Sequence, residues 1–329
     1  MKKRADGRYQ KAITINGRKQ FFYGKSPADV NKKILAYEEK QEQGRLFKEV
    51  AEEWYDNIVN EISPTTERGY LPAKNDAINK FGDVPIKEIT TIQINNYLLE
   101  FKVKGYAYKT VLTKLQIIRQ ICDFSILKGD ILINPAIAVK IPKNLPRTTR
   151  EVPDQADIEK IKRSDCLVAL IALYTGCRKG EIFALSSKDI DFETNEITIN
   201  KSVYYKNNRA YIKQPKTKAG IRTIPLLEPL KTALQTAKIK GDLFINDKGE
   251  LLTEKQARKL WLDFCAQYDV KCTMHQLRHA YATRLYELDI DEKSAQDLMG
   301  HADIQTTKNI YTHISNMKRK VTADKLSKF

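Results

Sequence analysis

Three prolines, Pro142, Pro146 and Pro153, bracket Lys143, Arg147 and Arg150 in a stretch that holds no acid before Glu151. Proline fixes φ and removes a backbone donor, so neither a helix nor a central strand runs through such a stretch. A chain interrupted in this way at 142–152 folds as separate units on either side, not around one core. Its 329 residues are enough for two or three units. The interruption is a plain linker or, by its charge, a basic strap that follows phosphates between two domains.

Upstream, residues 1–43 form a small unit of their own. The pattern predicts strands at Tyr9–Ile15 and Arg18–Tyr23, joined by Asn16-Gly17, a strong hairpin turn signal. Ser26 then caps a helix that begins at Pro27 and runs to about Gln43. Eleven Lys/Arg face five Asp/Glu in this segment, a net of +6. Arg8, Arg18, Lys19 and Tyr23 are the candidates for contact with a DNA groove, because basic and aromatic residues interleave along a β-ribbon. The plainer reading is a solvated face over a minimal core.

Residues 44–141 are all-helical. Phe47, Val50, Trp54 and Ile58 recur at helical spacing. Further helices are predicted after Ser63-Pro64, over Thr91–Lys102, and over Tyr108–Leu127, where Val111, Leu115, Ile118 and Cys122 form a stripe. Stripes of this kind are core, and no chemistry is assigned to them. Residues 153–329 are mixed α+β, mainly α. Helices are expected near Asp154–Arg163 and Leu167–Thr175, followed by a β region from Asp189 to Pro225 and a mainly helical remainder.

Lys and Arg number 57 against 41 Asp and Glu, a net charge of +16. An excess this large favours a polyanionic partner, most often nucleic acid. No apolar run approaches the roughly 18 residues of a membrane span, and the basic start Met1-Lys2-Lys3-Arg4 leads into no signal-peptide core. A cytoplasmic protein with no membrane partner is the expectation. The five cysteines, Cys122, Cys166, Cys177, Cys265 and Cys272, are scattered without metal-knuckle or redox spacing.

All four histidines, His275, His279, His301 and His313, fall in the last 55 residues. His275 and His279 have the i, i+4 spacing of metal ligands, but the run lacks a zinc protease's Glu, and Arg278 would bring positive charge to the same face. No metal is expected. His275 and Arg278, at i and i+3, share a helix face instead, and an arginine fork suits a phosphate's oxygens. A second cluster is Thr175-Gly176-Cys177-Arg178-Lys179-Gly180-Glu181, with a helix ending at Gly176 and Glu181 one turn on, able to orient Arg178. The third runs from Lys216 to Pro225 and is expected as a hairpin loop with a lysine at its tip. Singly, each fits a solvated surface as well as a site.

In order, these clusters resemble the tyrosine recombinase, or phage integrase, family. The first arginine box is Thr175-Gly176-Cys177-Arg178 through Glu181 and Leu185. The lysine segment is Lys216-Thr217 through Arg222-Thr-Ile-Pro225-Leu226. The second box is His275-Gln-Leu-Arg278-His279, then come Leu298-Met299-Gly300-His301 and the nucleophile segment Thr306-Thr307 through Tyr311-Thr312-His313. The match spans the C-terminal domain, and the helical unit and N-terminal ribbon fit the domain order of phage and conjugative-transposon integrases. Two departures stand out: Met274 separates Thr273 from His275, and Tyr311 lies at an interval of ten from His301, where many relatives have nine.

The resemblance implies cleavage and rejoining of DNA strands through a 3′-phosphotyrosine, without ATP or any metal or other cofactor. Tyr311 is the nucleophile, Arg178 and Arg278 clamp the non-bridging oxygens, and His301 adds a hydrogen bond. His275 is a base or phosphate ligand, and Lys216 protonates the leaving 5′ oxygen. Glu181 and His279 stand behind these groups. It further implies a homotetramer on double-stranded core and arm sites, with an excisionase and a host DNA-bending protein as partners. A regulator of the same fold without catalysis, or a type IB-like topoisomerase, would share the charge pattern and the domain order.

Overall fold

The computed structural model describes residues 1–15, 18–147, 152–215, 217–238, 240–312 and 314, without the side chains of 15, 18 and 39–43. Asn16, Gly17, Arg150, Lys216, His313 and the segment 315–329 lie outside the described residues. The chain divides into two compact units, Met1–Thr148 and Thr149–Phe329.

The first unit opens with β1 (Lys2–Lys3), β2 (Tyr9–Ile15) and β3 (Arg18–Gly24), an antiparallel sheet in the order β1-β2-β3. The expected two-stranded ribbon is thus three-stranded, since a two-residue strand carries no periodicity to detect. Ile15 pairs with Arg18, in keeping with a two-residue connection. Helix α1 (Pro27–Gln43) starts as the Ser26 hydroxyl accepts the Asp29 amide. It buries Val30 and Ile34 and sets Tyr37 edge-on to Phe22 at 5.2 Å. Strand alternation leaves Lys19, Phe21 and Tyr23 on one exposed face of β3. Arg4 lies over the Tyr23 ring, and exposed Arg8 pairs with Asp6.

Next come α2 (Phe47–Ile58), α3 (Pro64–Phe81), α4 (Thr91–Val103) and α5 (Tyr108–Lys128). Ser63 caps α3 ahead of Pro64, and Thr90 and Gln93 form a reciprocal capping box on α4. Phe47, Trp54, Phe81, Tyr97, Leu115 and Ile118 share one core. Residues 142–147 are held on this unit and are not a free strap. Leu145 is buried in the core, the Pro146 carbonyl accepts the Tyr108 amide, and Arg147 lies 4.6 Å from the Tyr108 ring centre. An apolar anchor outweighs the local charge here.

The second unit runs α6 (Gln155–Lys162), α7 (Leu167–Thr175), α8 (Lys179–Ile182), β4 (Ile190–Asp191), β5 (Glu196–Ile199), β6 (Ser202–Lys206), β7 (Arg209–Lys213), β8 (Arg222–Pro225), α9 (Glu228–Ala237), α10 (Glu254–Tyr268), α11 (Met274–Glu287) and α12 (Glu292–Met299), and then helical residues 304–312. Helix α7 is apolar and mostly buried, forming the centre of the main core. The expected β region divides into two sheets, β4-β5-β8 and the hairpin β6-β7. The hairpin turns at Asn207 and Asn208, both at positive φ. The segment around Lys216 therefore joins two sheets instead of tipping a hairpin, because β8 pairs with β5 and not with β7. Helix α11 serves two clusters: Met274 and Leu277 face the main core, while Tyr281 and Leu285 pack with Ala295, Met299 and Tyr311. No described helix is long and apolar enough to cross a membrane.

Candidate active site

The site is built on two helix ends. Helix α7 stops at Gly176, whose φ of +62° places it in the left-handed region. A Cβ there would fall on the Tyr281 ring. Any other residue would carry both strain and a clash. The turn exposes the Gly176 carbonyl and delivers Arg178 to the start of α8. Helix α12 ends in the same way at Gly300, φ +63°. Its last turn closes with the Gly300 amide on the Asp297 carbonyl and the His301 amide on the Gln296 carbonyl. The next three carbonyls along, those of Leu298, Met299 and Gly300, each accept a different arginine.

Arg222 Nε donates to Leu298 at 2.8 Å, Arg278 Nη2 to Met299 at 2.5 Å, and Arg178 Nη2 to Gly300 at 2.8 Å. Arg278 Nη1 also donates to the Gly176 carbonyl at 2.6 Å, tying the two helix ends together. Guanidinium groups suit this place, because the C-terminal carbonyls carry the negative end of the helix dipole. Thr273 and Gln276 fix the start of α11 through a reciprocal capping box, so the Gln of the His-Gln-Leu-Arg run is structural.

One carboxylate joins the arginines. Glu181 accepts the Arg178 amide and Arg222 Nη2 on Oε2, at 2.8 and 2.9 Å, and Arg178 Nη1 on Oε1 at 2.8 Å. Burial opposes its charge, but the bonds and charges of Arg222 and Arg178 outweigh that and hold the carboxyl at about 2. Among the described residues Glu181 is the one carboxylate in the cluster, and it pairs with Arg178 and Arg222, while Arg278 bonds backbone carbonyls. Burial, and then repulsion from Arg178, press the Arg278 guanidinium down from its ordinary value, yet an arginine starts so high that it stays charged. The cluster therefore keeps positive charge beyond what Glu181 neutralises. Arg178 offers it outward, with 45% of its side chain exposed.

His301 is buried, and its Nδ1 lies 2.9 Å from the Thr307 hydroxyl. Burial and then the charges of Arg278, Arg178 and Arg222 lower it to about 4, so the ring is neutral at pH 7. If Thr307 donates to Nδ1, the proton sits on Nε2 and that nitrogen is a donor. Thr307 and Tyr311 lie one turn apart in the 304–312 helix. His275 is exposed, with its ring edge-on to buried His279 at 4.7 Å.

The Tyr311 hydroxyl donates to the Ile290 carbonyl, in the loop between α11 and α12, at 3.1 Å. Its ring meets Tyr286 edge-on at 5.1 Å. Burial, then Asp291 and Glu292, push the phenol up to about 12. The structure thus joins Arg178, Glu181, Arg278 and the His301 turn in one network, while Tyr311 has its own hydrogen bond. Tyr281 and Tyr286 are packing residues in the same cluster.

Two residues with clear places in this network had no role in the sequence reading. Thr307 orients His301. Arg222 was within the quoted lysine segment, and the alternation of β8 marks it: Arg222 and Ile224 share the buried face. An arginine on a buried strand face needs a carboxylate partner, and Glu181 is a buried one. Among the described residues no cluster of three or more metal-ligating side chains occurs.

Residues 148–318 match the model of the phage integrase family, and residues 46–102 match that of the phage integrase N-terminal SAM-like domain. A tyrosine recombinase XerC-like protein of Caldanaerobacter subterraneus subsp. tengcongensis is 30% identical over 267 residues, covering 70% of this chain and 68% of its own. Tyrosine recombinase XerA of Pyrococcus furiosus is 28% identical, over 77% of this chain and 81% of its own. Among solved structures, the Tn1549 transposon integrase in complex with transposon right end DNA superimposes with a TM-score of 0.68 at 22% identity, covering 85% of this chain and 100% of that one. A lambda integrase tetramer bound to a Holliday junction gives 0.65 at 18% identity, covering 93% of each chain. These two structures share the fold, a multidomain and mostly helical one with small sheets.

Proposed function

The chain belongs to the phage integrase family of tyrosine recombinases and is a site-specific DNA recombinase, and we propose that it integrates and excises a prophage or conjugative element through a 3′-phosphotyrosine intermediate. The observation that carries this reading is the arginine cluster: three guanidiniums anchored on helix-end carbonyls, with one carboxylate, Glu181, paired to two of them. Fixed positive charge beyond what the protein itself neutralises is what a pentacoordinate phosphoryl transition state requires.

The Tyr311 oxygen attacks phosphorus and the 5′ oxygen leaves, so one phosphodiester is exchanged for another and no external energy is needed. Before attack Tyr311 must give up its bond to Ile290, and it must lose its proton in the step, since free phenols ionise only near pH 10. His275, exposed on the first turn of α11, is assigned as the base or phosphate ligand. Arg178 and Arg278 hold the non-bridging oxygens, and neutral His301 donates from Nε2. Lys216 supplies the proton to the leaving 5′ oxygen. Glu181 orients Arg178, and His279 supports His275.

The N-terminal sheet (residues 1–43) is assigned to arm sites, through Arg8, Arg18, Lys19 and Tyr23, and the helical part (44–141) to core sites. Lys143, Arg147 and Arg150 are assigned to phosphates. Four protomers on two sites would complete the reaction, with an excisionase and a host DNA-bending protein setting its direction. The protein would act in the cytoplasm.

The test is a nicked suicide duplex spanning the junction of the element that carries the gene. Wild type should form a covalent protein–DNA adduct resistant to denaturant, and Tyr311→Phe should form none while binding the duplex within about twofold of wild type. An adduct from Tyr311→Phe refutes the nucleophile assignment. Binding without any wild-type adduct favours the regulator, and relaxation of supercoiled DNA without strand exchange favours the topoisomerase.

A further inference from the structure

We propose that Arg222 is a positioning residue for strand cleavage, setting the geometry of Arg178 and of the His301 turn without itself touching DNA. Its side chain is only 5% exposed, so it is not a surface for a duplex. Its donors reach two different segments: Nη2 bonds Glu181 Oε2, and Nε bonds the Leu298 carbonyl. Nη2 also lies 3.7 Å from Cys177 Sγ, beside the arginine box.

Each contact is one step from a group assigned to the phosphate. The Glu181 oxygen held by Arg222 also accepts the Arg178 amide, and the other oxygen accepts the Arg178 side chain. Leu298 precedes Met299 and Gly300, whose carbonyls hold Arg278 and Arg178, and His301 follows at once. Fixing Leu298 therefore fixes the spacing of all three acceptors. The fit is close, for a Cβ on Gly300 would come within 2.7 Å of Arg222 Nη1 and 3.1 Å of the Ala219 carbonyl. The segment just after Lys216 thus packs against the same glycine. Arg222, first residue of β8, joins the arginine box, the α12 end and the lysine-bearing connection.

This inference rests on the strand-cleavage reading, and its test separates the two. Wild type, Arg222→Lys, Arg222→Gln, Arg178→Ala and the double variant Arg178→Ala/Arg222→Gln are compared on the same nicked suicide duplex. Duplex affinity, melting temperature and single-turnover cleavage rate are measured for each. Arg222→Gln should cleave on the order of a hundredfold more slowly and Arg222→Lys about tenfold more slowly, both with duplex affinity within about threefold of wild type. In the Arg178→Ala background Arg222→Gln should cost less than about threefold more, because the two residues act as one unit. If Arg222→Gln does not fold, Arg222→Lys, which keeps the charge, is paired with Arg178→Ala instead. Wild-type cleavage by the folded variants, losses that multiply independently with Arg178→Ala, or losses matched by lost duplex affinity overturn the proposal. No adduct from wild type would instead overturn the strand-cleavage reading.

Discussion

The two units of this chain bury positive charge in different ways. In the first unit Lys74 and Lys114 have side chains only 5% exposed. Lys74 pairs with Glu52 at 2.5 Å and lies over the Tyr55 ring, and Lys114 pairs with Asp76 and lies over the Phe101 ring. Each lysine has one carboxylate and an aromatic face, and Lys114 has the Tyr106 ring as well, so each pair is neutral. In the second unit Arg178 and Arg222 share Glu181, Arg278 bonds the Gly176 and Met299 carbonyls, and the Leu298 and Gly300 carbonyls hold the other two arginines. Carbonyls anchor a guanidinium without cancelling its charge. One-to-one pairing stabilises a fold, whereas this sharing leaves a site ready for an anion.

The comparison breaks first at Arg178. Arg178→Ala should slow cleavage about a hundred- to a thousandfold while leaving the melting temperature and duplex affinity close to wild type, since the charge matters mainly in the transition state. A rate near wild type would remove the distinction between the two units.

His301 sharpens it through pH. Its folded value of about 4 lies below the ordinary 6.5, so between those values the unfolded chain binds the proton more readily than the folded one. Stability from this group is complete above about pH 6.5 and is lost as pH falls towards 4. The shift corresponds to about 3 kcal/mol at most. Denaturant unfolding from pH 7 to 4 should show this fall, and His301→Gln should flatten it. An unchanged pH dependence in His301→Gln would mean that neither burial nor the arginines depress the ring's proton affinity.

The smallest effect belongs to the neutral pairs. Lys114→Met should lower stability by about 1–2 kcal/mol, losing an ion pair and its cation–π contacts while keeping the packed stem. Cleavage per folded molecule should not change. A specific fall in the cleavage rate would show that this lysine is more than structural.

What the sequence made legible follows from where each signal resides. The stripe Val111, Leu115, Ile118, Cys122 is carried by side chains at helical spacing, and all four are buried in α5. Ser26 and Ser63 signal helix starts because a cap acts within three residues. Glu181 as the orienter of Arg178 was legible for the same reason, being three residues away. Arg222 was not, because its partners Glu181 and Leu298 lie 41 and 76 residues away. The carbonyls of Gly176, Met299 and Gly300 have no side chain to announce them as acceptors. The lysine segment was misplaced because β8 pairs with β5 across the whole β6-β7 hairpin, a long-range register that no local pattern encodes. The hold of residues 142–147 on the helical core was not legible, since it rests on the single apolar Leu145.

Strand cleavage, as proposed, turns on one phenol, that of Tyr311. The most direct measurement is tryptic mapping by mass spectrometry of the protein trapped on a nicked suicide duplex. The expected result is a 3′-phosphonucleotide on the peptide spanning residues 309–318, in which Tyr311 is the one tyrosine. The same adduct on a peptide carrying Tyr281 or Tyr286, with 309–318 unmodified, would contradict it.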